Sequence, residues 1–188
     1  MHKRVLLITG SPGVGKTTLL LKVVEALRAK GYSVGGMVSR EVRPYGTRIG
    51  FEILDLGDNN KRGWLAHVQQ EKGPRVGKYR VNLEDLNSVG VEAILRAVRK
   101  CDVIVIDEIG PMELFSKSFK LAALEALESG KLVIAVVHRK TCDKLIDYAK
   151  ARKDTEIFNV TFENRDELHK VIVQKAEESL KGSEALRL

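Results

Sequence analysis

Residues 10–18 read Gly10-Ser11-Pro12-Gly13-Val14-Gly15-Lys16-Thr17-Thr18, and they contain the spacing G-x-x-x-x-G-K-T. Three glycines leave a backbone free to turn and to approach a ligand closely, so that bare N–H groups can surround phosphate oxygens. Lys16 adds a point charge for β- and γ-phosphates, and the Thr17 hydroxyl is a ligand for Mg²⁺. A second constellation is Val103-Ile104-Val105-Ile106-Asp107-Glu108-Ile109-Gly110, an apolar run ending in two acids. Asp107 suits the Mg²⁺-associated acid, directly or through a bound water, and Glu108 suits the group that orients an attacking water. A kinase would instead need an acceptor pocket that excludes water. The chemistry expected is therefore hydrolysis of a nucleoside triphosphate. A small-molecule or nucleoside kinase and a nucleotide-gated binding module are the alternatives.

These residues need elements to hold them. Val5 to Thr9 reads as a buried strand and Lys16 to Lys30 as a helix stopped by Gly31, so the glycine loop joins a strand to a helix N-terminus, where unpaired N–H groups favour anions. Ser33 to Ser39 reads as a second strand. Ile49 to Leu56 alternates and should pair with it through a turn at Pro44-Tyr45-Gly46. Trp64 to Val68 reads as a short strand with Trp64 as a packing residue. Further on come a helix (83–100), a strand (102–106), a helix (119–128), a strand (132–137), a helix (141–151), a strand (157–161) and a helix (163–180). A frayed tail is expected after Gly182. Continuous apolar strands between helices predict an α/β fold, a mostly parallel sheet covered by helices on both faces. The stretch 33–80 breaks that rhythm and reads as an inserted, largely antiparallel β-rich excursion. In such a sheet ligands collect at the carboxyl ends of strands, so Asp107 and Glu108 should face the phosphate loop.

Other residues are secondary candidates. Arg40, Arg43 and Arg48 flank the hairpin turn, where a guanidinium could reach the γ-phosphate or simply be solvated. Arg139, after the strand 132–137, is a candidate γ-phosphate sensor. Arg165 could stack on a base and Asn164 could hydrogen-bond its edge, or Asn164 could cap a helix. Asn164-Arg165-Asp166-Glu167 is not the N-K-x-D guanine reader, so strong GTP selectivity is not expected. His2, His67, His138 and His169 have no metal-ligand spacing.

The bulk properties agree with this reading. The chain's 188 residues, 44% apolar and 30% charged, allow one packed globular domain over 1–188. A net charge of +7 suits a polyanionic partner, which the nucleotide already is. No dense basic block argues for nucleic acid. Cys101 and Cys142 lie far apart without CxxC spacing, read as small core or near-core residues, and suit a reducing cytoplasm. The basic residues before the first apolar run superficially resemble a signal peptide, but that run is short and leads straight into the loop. No apolar stretch approaches membrane-spanning length. The sequence identifies no protein partner.

Ile106-Asp107-Glu108-Ile109-Gly110-Pro111-Met112-Glu113-Leu114 resembles the IDEIGxMEL signature of the small nucleoside triphosphatases first described in thermophiles, a family that includes the cancer-related nucleoside triphosphatase homologues. Three further pieces are similar to segments of that family: Glu41-Val42-Arg43 with Arg48-Ile49-Gly50-Phe51, Val76-Gly77-Lys78-Tyr79-Arg80-Val81, and Val160-Thr161-Phe162-Glu163-Asn164-Arg165. The similarity spans about residues 3 to 175. It implies a RecA-like P-loop domain of the additional-catalytic-glutamate class. It also implies slow, Mg²⁺-dependent hydrolysis of ATP, GTP and other triphosphates to diphosphate and phosphate. Carried over by position, Gly10 to Thr17 bind phosphates and Val103 to Gly110 form a second nucleotide-facing wall.

Overall fold

Strands β1 (Val5–Gly10), β7 (Val103–Ile109) and β8 (Leu132–Val137) are apolar at almost every position and buried along nearly their whole length. Such strands need cover on both faces, which a parallel sheet between helices supplies. The computed structural model describes residues 3–185. One nine-stranded sheet runs in the order β5-β6-β4-β3-β2-β7-β8-β1-β9. Its other strands are β2 (Val34–Val42), β3 (Gly50–Asp55), β4 (Asp58–His67), β5 (Arg75–Val76), β6 (Tyr79–Val81) and β9 (Thr155–Val160). The pairings β2–β7, β7–β8, β8–β1 and β1–β9 are parallel, and the rest are antiparallel.

Helices cover both faces. On one, α1 (Lys16–Ala29) and α6 (Leu168–Ala185) bury Leu20, Val23, Leu27, Ile172 and Val173 against Leu6, Ile8 and Ile134. On the other, α3 (Glu92–Lys100), α4 (Lys117–Glu128) and α5 (Lys144–Ala151) bury Ile94, Phe119, Ala123 and Ile146 against Leu7, Ile104, Ile106 and Ala135. A short turn of helix, α2 (Leu83–Asp85), and a π-helical stretch (Leu86–Val91) lead into α3. Ser116 and Asp143 cap α4 and α5 by accepting the N–H of Phe119 and Leu145.

Several boundaries differ from those expected, each for a tertiary reason. β2 continues three residues past Ser39 because its second half gains β3 as an antiparallel partner after its first half pairs with β7. The antiparallel strands therefore prolong the same sheet at one edge. β4 is ten residues long, since its polar first half, with little strand propensity of its own, is held by β3. Turns occupy 162–167, so the last helix starts at Leu168, and it passes Gly182 to reach Ala185, where fraying was expected. Cys142 is exposed rather than near the core, and Cys101 is half-buried. Among the described residues no helix is long and apolar enough to cross a membrane.

Candidate active site

The loop from Gly10 to Thr17 connects the end of β1 to the first turn of α1. Gly13 and Gly15 have φ of 76° and 104°, left-handed values that a side chain would make costly. Gly15 occupies the N-cap of α1 and no side chain caps the helix there, so its first N–H groups remain available to an anion. Val14 is 1% exposed and anchors the loop in the core, while Ser11, Pro12, Gly13 and Thr18 are exposed. The Lys16 ammonium folds back over the loop, donating to the carbonyls of Gly10 (3.3 Å) and Ser11 (3.0 Å).

The facing wall is the end of β7. One strand, β8, separates it from β1, which sets the two strand axes about 10 Å apart. Side chains close that gap. Thr17 Oγ1 donates to Asp107 Oδ1 at 3.1 Å, and the Ser39 N–H, from β2 on the other side, donates to Asp107 Oδ2 at 3.1 Å. Asp107 is 1% exposed. Burial pushes its pKa up to about 6, against the hydrogen bonds from Ser39 and Thr17, and the nearby Glu108 carboxylate adds to the rise. The Thr17 hydroxyl and Asp107 carboxylate are hard oxygen donors converging from two elements. That pair fits Mg²⁺, which takes its remaining ligands from water and phosphate rather than from an all-protein cage. Among the described residues no group of three or more His, Cys, Asp or Glu is placed to hold a metal by itself.

Glu108 has a φ of 97°, a conformation that side chains rarely adopt. The pairing of β7 with β8 shifts register between Ile106 and Ile109, so the chain bulges at this residue and its side chain leaves the regular alternation of the strand. That side chain lies across Gly110: a Cβ there would stand 3.0 Å from Glu108 Cγ and Oε1. Three residues beyond Gly110, Glu113 is a buried carboxyl whose pKa is held well above the usual range by burial, then by the charge of Glu108.

The secondary candidates divide. Arg43 Nε and Arg48 Nη1 both donate to the Glu41 carboxylate, at 2.6 and 2.5 Å. Arg48 also donates to the Tyr79 hydroxyl at 2.7 Å and lies 5.1 Å from the centre of the Phe51 ring. Arg40 pairs with Glu52 at 2.6 Å. Arg139 is exposed in the turn after β8, the strand between the two walls. Asn164 is committed to backbone: its Oδ1 accepts the Thr161 N–H and its Nδ2 donates to the Asn159 carbonyl, both at 2.9 Å. Arg165 lies beside the phosphate loop, with Cδ 3.9 Å from where a Gly15 Cβ would stand, and its guanidinium sits 5.2 Å from the centre of the exposed Phe162 ring.

Sequence reasoning gave no role to Ser39, Glu113 or Phe162. A serine at the end of a parallel strand carries no signal by itself. Glu113, a lone acid between Met112 and Leu114, was the one that could have been noticed. A surface cavity of about 890 Å³ between α4 and α5, lined by Leu121, Leu124 and Tyr148 among others, shares no residue with this site.

A glycine loop at a helix N-terminus, hydrogen-bonded through its threonine to an acid one strand away, defines a P-loop nucleotide-binding site. The family model for NTPase matches residues 5–173, and the chain belongs to that family. It is 50% identical over 161 residues to the nucleoside-triphosphatase THEP1 of Thermofilum pendens, covering 85% of this chain and 88% of the relative. It is 44% identical over 174 residues to that of Methanocaldococcus jannaschii, covering 93% and 98%. Among solved structures, it resembles THEP1 from Aquifex aeolicus (TM-score 0.82, 32% identity, 92% of this chain and 99% of that one). It also resembles a human cancer-related nucleoside triphosphatase (TM-score 0.81, 36% identity, 94% and 98%).

Proposed function

We propose that this chain, acting as a single domain, hydrolyses ATP, GTP and other nucleoside triphosphates to diphosphate and phosphate, with Mg²⁺ dependence, little base discrimination and slow turnover. The observation that carries this reading is the Thr17–Asp107 hydrogen bond. It joins the phosphate loop to a strand whose next residue, Glu108, is turned out of the strand's alternation. Loop amides and the α1 N-terminus receive the phosphates. Lys16, released from the Gly10 and Ser11 carbonyls, neutralises charge on the β- and γ-groups. Thr17 and Asp107 would hold Mg²⁺, which would supply positive charge to offset that of the phosphates. Glu108 orients the attacking water, and the loop amides stabilise charge on the transferring phosphoryl group.

Two features support the finer points. Both functions of the Asn164 amide are spent on backbone, which leaves the flat Arg165–Phe162 pair as a surface for a base to stack on without reading its edge. Arg43 and Arg48 are held by Glu41, so neither guanidinium stands free as an arginine finger, a device worth about 10³–10⁵ in rate. Arg139 remains the candidate sensor. The test is phosphate release from Mg²⁺-ATP, GTP, CTP and UTP with no other acceptor present. All four should be hydrolysed, with kcat/KM values within about tenfold of one another. An absence of release would sink hydrolysis and favour a kinase that lacks its acceptor.

A further inference from the structure

We propose that Ser39 is a positioning residue for the metal-binding carboxyl: its N–H and its hydroxyl grip Asp107 from β2 and keep the other carboxylate oxygen turned to Thr17. The proposal rests on the reading in which Thr17 and Asp107 hold Mg²⁺.

An aspartate side chain turns about two bonds, so a liganding carboxylate keeps one orientation only where a further group holds it. Asp107 sits at the seam where β2 changes partners. The parallel pairing of β2 with β7 ends at Met37 and Ile106, while the antiparallel pairing with β3 runs on, with Ser39 opposite Ile53. Beyond Ile106, β7 shifts register against β8 and bulges at Glu108. Across the seam at this level, a side chain stands in for the ladder. The Ser39 N–H donates to Asp107 Oδ2 at 3.1 Å. The Ser39 hydroxyl reaches two acceptors of the same residue, Oδ2 at 3.4 Å and the main-chain carbonyl at 3.5 Å. Each of these longer contacts is weak. Together they tie the carboxylate to its own backbone through one residue. With Oδ2 taken, Oδ1 is the oxygen that faces Thr17 Oγ1, at 3.1 Å. Among the described residues, Ser39 and Thr17 are the two that donate to this carboxylate. Thr17 would be the metal's other ligand, so the holding falls to Ser39, which β3 fixes in turn.

The experiment uses the full chain as wild type, Ser39→Ala, Ser39→Thr and Asp107→Asn. It measures Mn²⁺ affinity of the ADP complex by electron paramagnetic resonance of the free ion, ADP affinity without metal by calorimetry, and turnover of ATP against Mg²⁺ concentration. Ser39→Ala keeps the N–H and loses the hydroxyl. It should weaken Mn²⁺ binding about tenfold, the lower end of what losing an outer-shell partner costs a metal site. Metal-free ADP affinity should not change. Turnover should need more Mg²⁺ but return to the wild-type rate once Mg²⁺ saturates, a split that a general loss of structure would not produce. Ser39→Thr keeps the hydroxyl on a residue suited to a strand and should restore Mn²⁺ affinity. The inference is overturned if Ser39→Ala binds Mn²⁺ like wild type, if its turnover stays low at saturating Mg²⁺, or if Ser39→Thr is as impaired as Ser39→Ala. Should Ser39→Ala not fold, Ser39→Val, which suits a strand and lacks the hydroxyl, is read by the same criteria. A wild type whose ADP complex binds no Mn²⁺, or an Asp107→Asn that binds it as tightly as wild type, overturns the metal-site reading and this inference with it. A wild-type site that depends on Asp107, beside a Ser39→Ala that binds equally well, overturns the inference alone.

Discussion

The phosphate loop works with backbone and glycine, whereas the wall opposite works with buried carboxyl groups and a strained glutamate. In the loop, the left-handed φ values fall on Gly13 and Gly15, which adopt them at little cost, and the working groups are N–H groups and a half-buried lysine. In the wall, the left-handed φ falls on Glu108, and Asp107 and Glu113 are buried carboxyls whose pKa values are raised by burial and by the charge of neighbouring carboxylates. The loop binds with almost no stored energy. The wall carries cost that the sheet and both helix layers must offset, and such cost is what a catalytic group held in one geometry requires.

If that division holds, the largest separable effect comes from the wall. Glu108→Gln should lower kcat about 10³-fold, within the range for losing a general base, while analogue affinity barely changes. Equal loss of both, by steady-state kinetics and titration, would place Glu108 in binding and erase the contrast. Next comes the buried charge itself. The Asp107 pKa of about 6 lies above the ordinary 3.8, so the folded protein binds this proton more tightly than the unfolded chain. In metal-free protein the ionised carboxyl opposes folding in full above about pH 6, and that opposition fades as pH falls towards 3.8. Asp107→Asn lacks the fading term. The stability difference between the two proteins, by urea unfolding, should therefore move by about 3 kcal/mol in favour of wild type from neutral to acid pH. A difference that stays flat with pH would mean the carboxyl is not buried against its charge.

The loop was legible because everything it needs is local: glycines at fixed intervals, a lysine and a threonine, a strand before and a helix after. The Asp107-Glu108 pair was legible for the same reason, as the end of an apolar run. What joins them was not. Ser39 reaches Asp107 across 68 positions of sequence, from a strand whose extension past Ser39 depends on β3. The bulge at Glu108 arises from a register shift against β8, which no property of residues 103–110 dictates. The first half of β4 was missed because Asp58, Lys61 and Arg62 have poor strand propensity and are held by their partner strand instead.

A smaller effect belongs to the loop. Lys16→Ala removes a charged donor from the phosphates without unburying anything, and should weaken triphosphate binding by about tenfold to 10²-fold, the worth of hydrogen bonds to a charged group. Monophosphate binding should weaken less, because the lysine is placed for the β- and γ-groups. Equal loss for ATP and AMP, measured by calorimetry, would detach Lys16 from the outer phosphates.

The smallest effect is the most direct probe of where strain resides. Glu108→Gly and Glu108→Ala both remove the carboxylate, and both should lose turnover. Only glycine relieves the left-handed φ, at the expense of extra freedom in the unfolded chain. The balance should leave Glu108→Gly more stable than Glu108→Ala by about 1 kcal/mol, or a few degrees in Tm. At Gly15 the opposite exchange, Gly15→Ala, should destabilise by a similar amount, because a Cβ would enter a backbone already at 104°. Opposite signs at the two positions would place the strain in the wall and its absence in the loop. If Glu108→Gly and Glu108→Ala melt together, the bulge at Glu108 is relaxed backbone, and the rigidity of the glutamate must come from its contact with Gly110 alone.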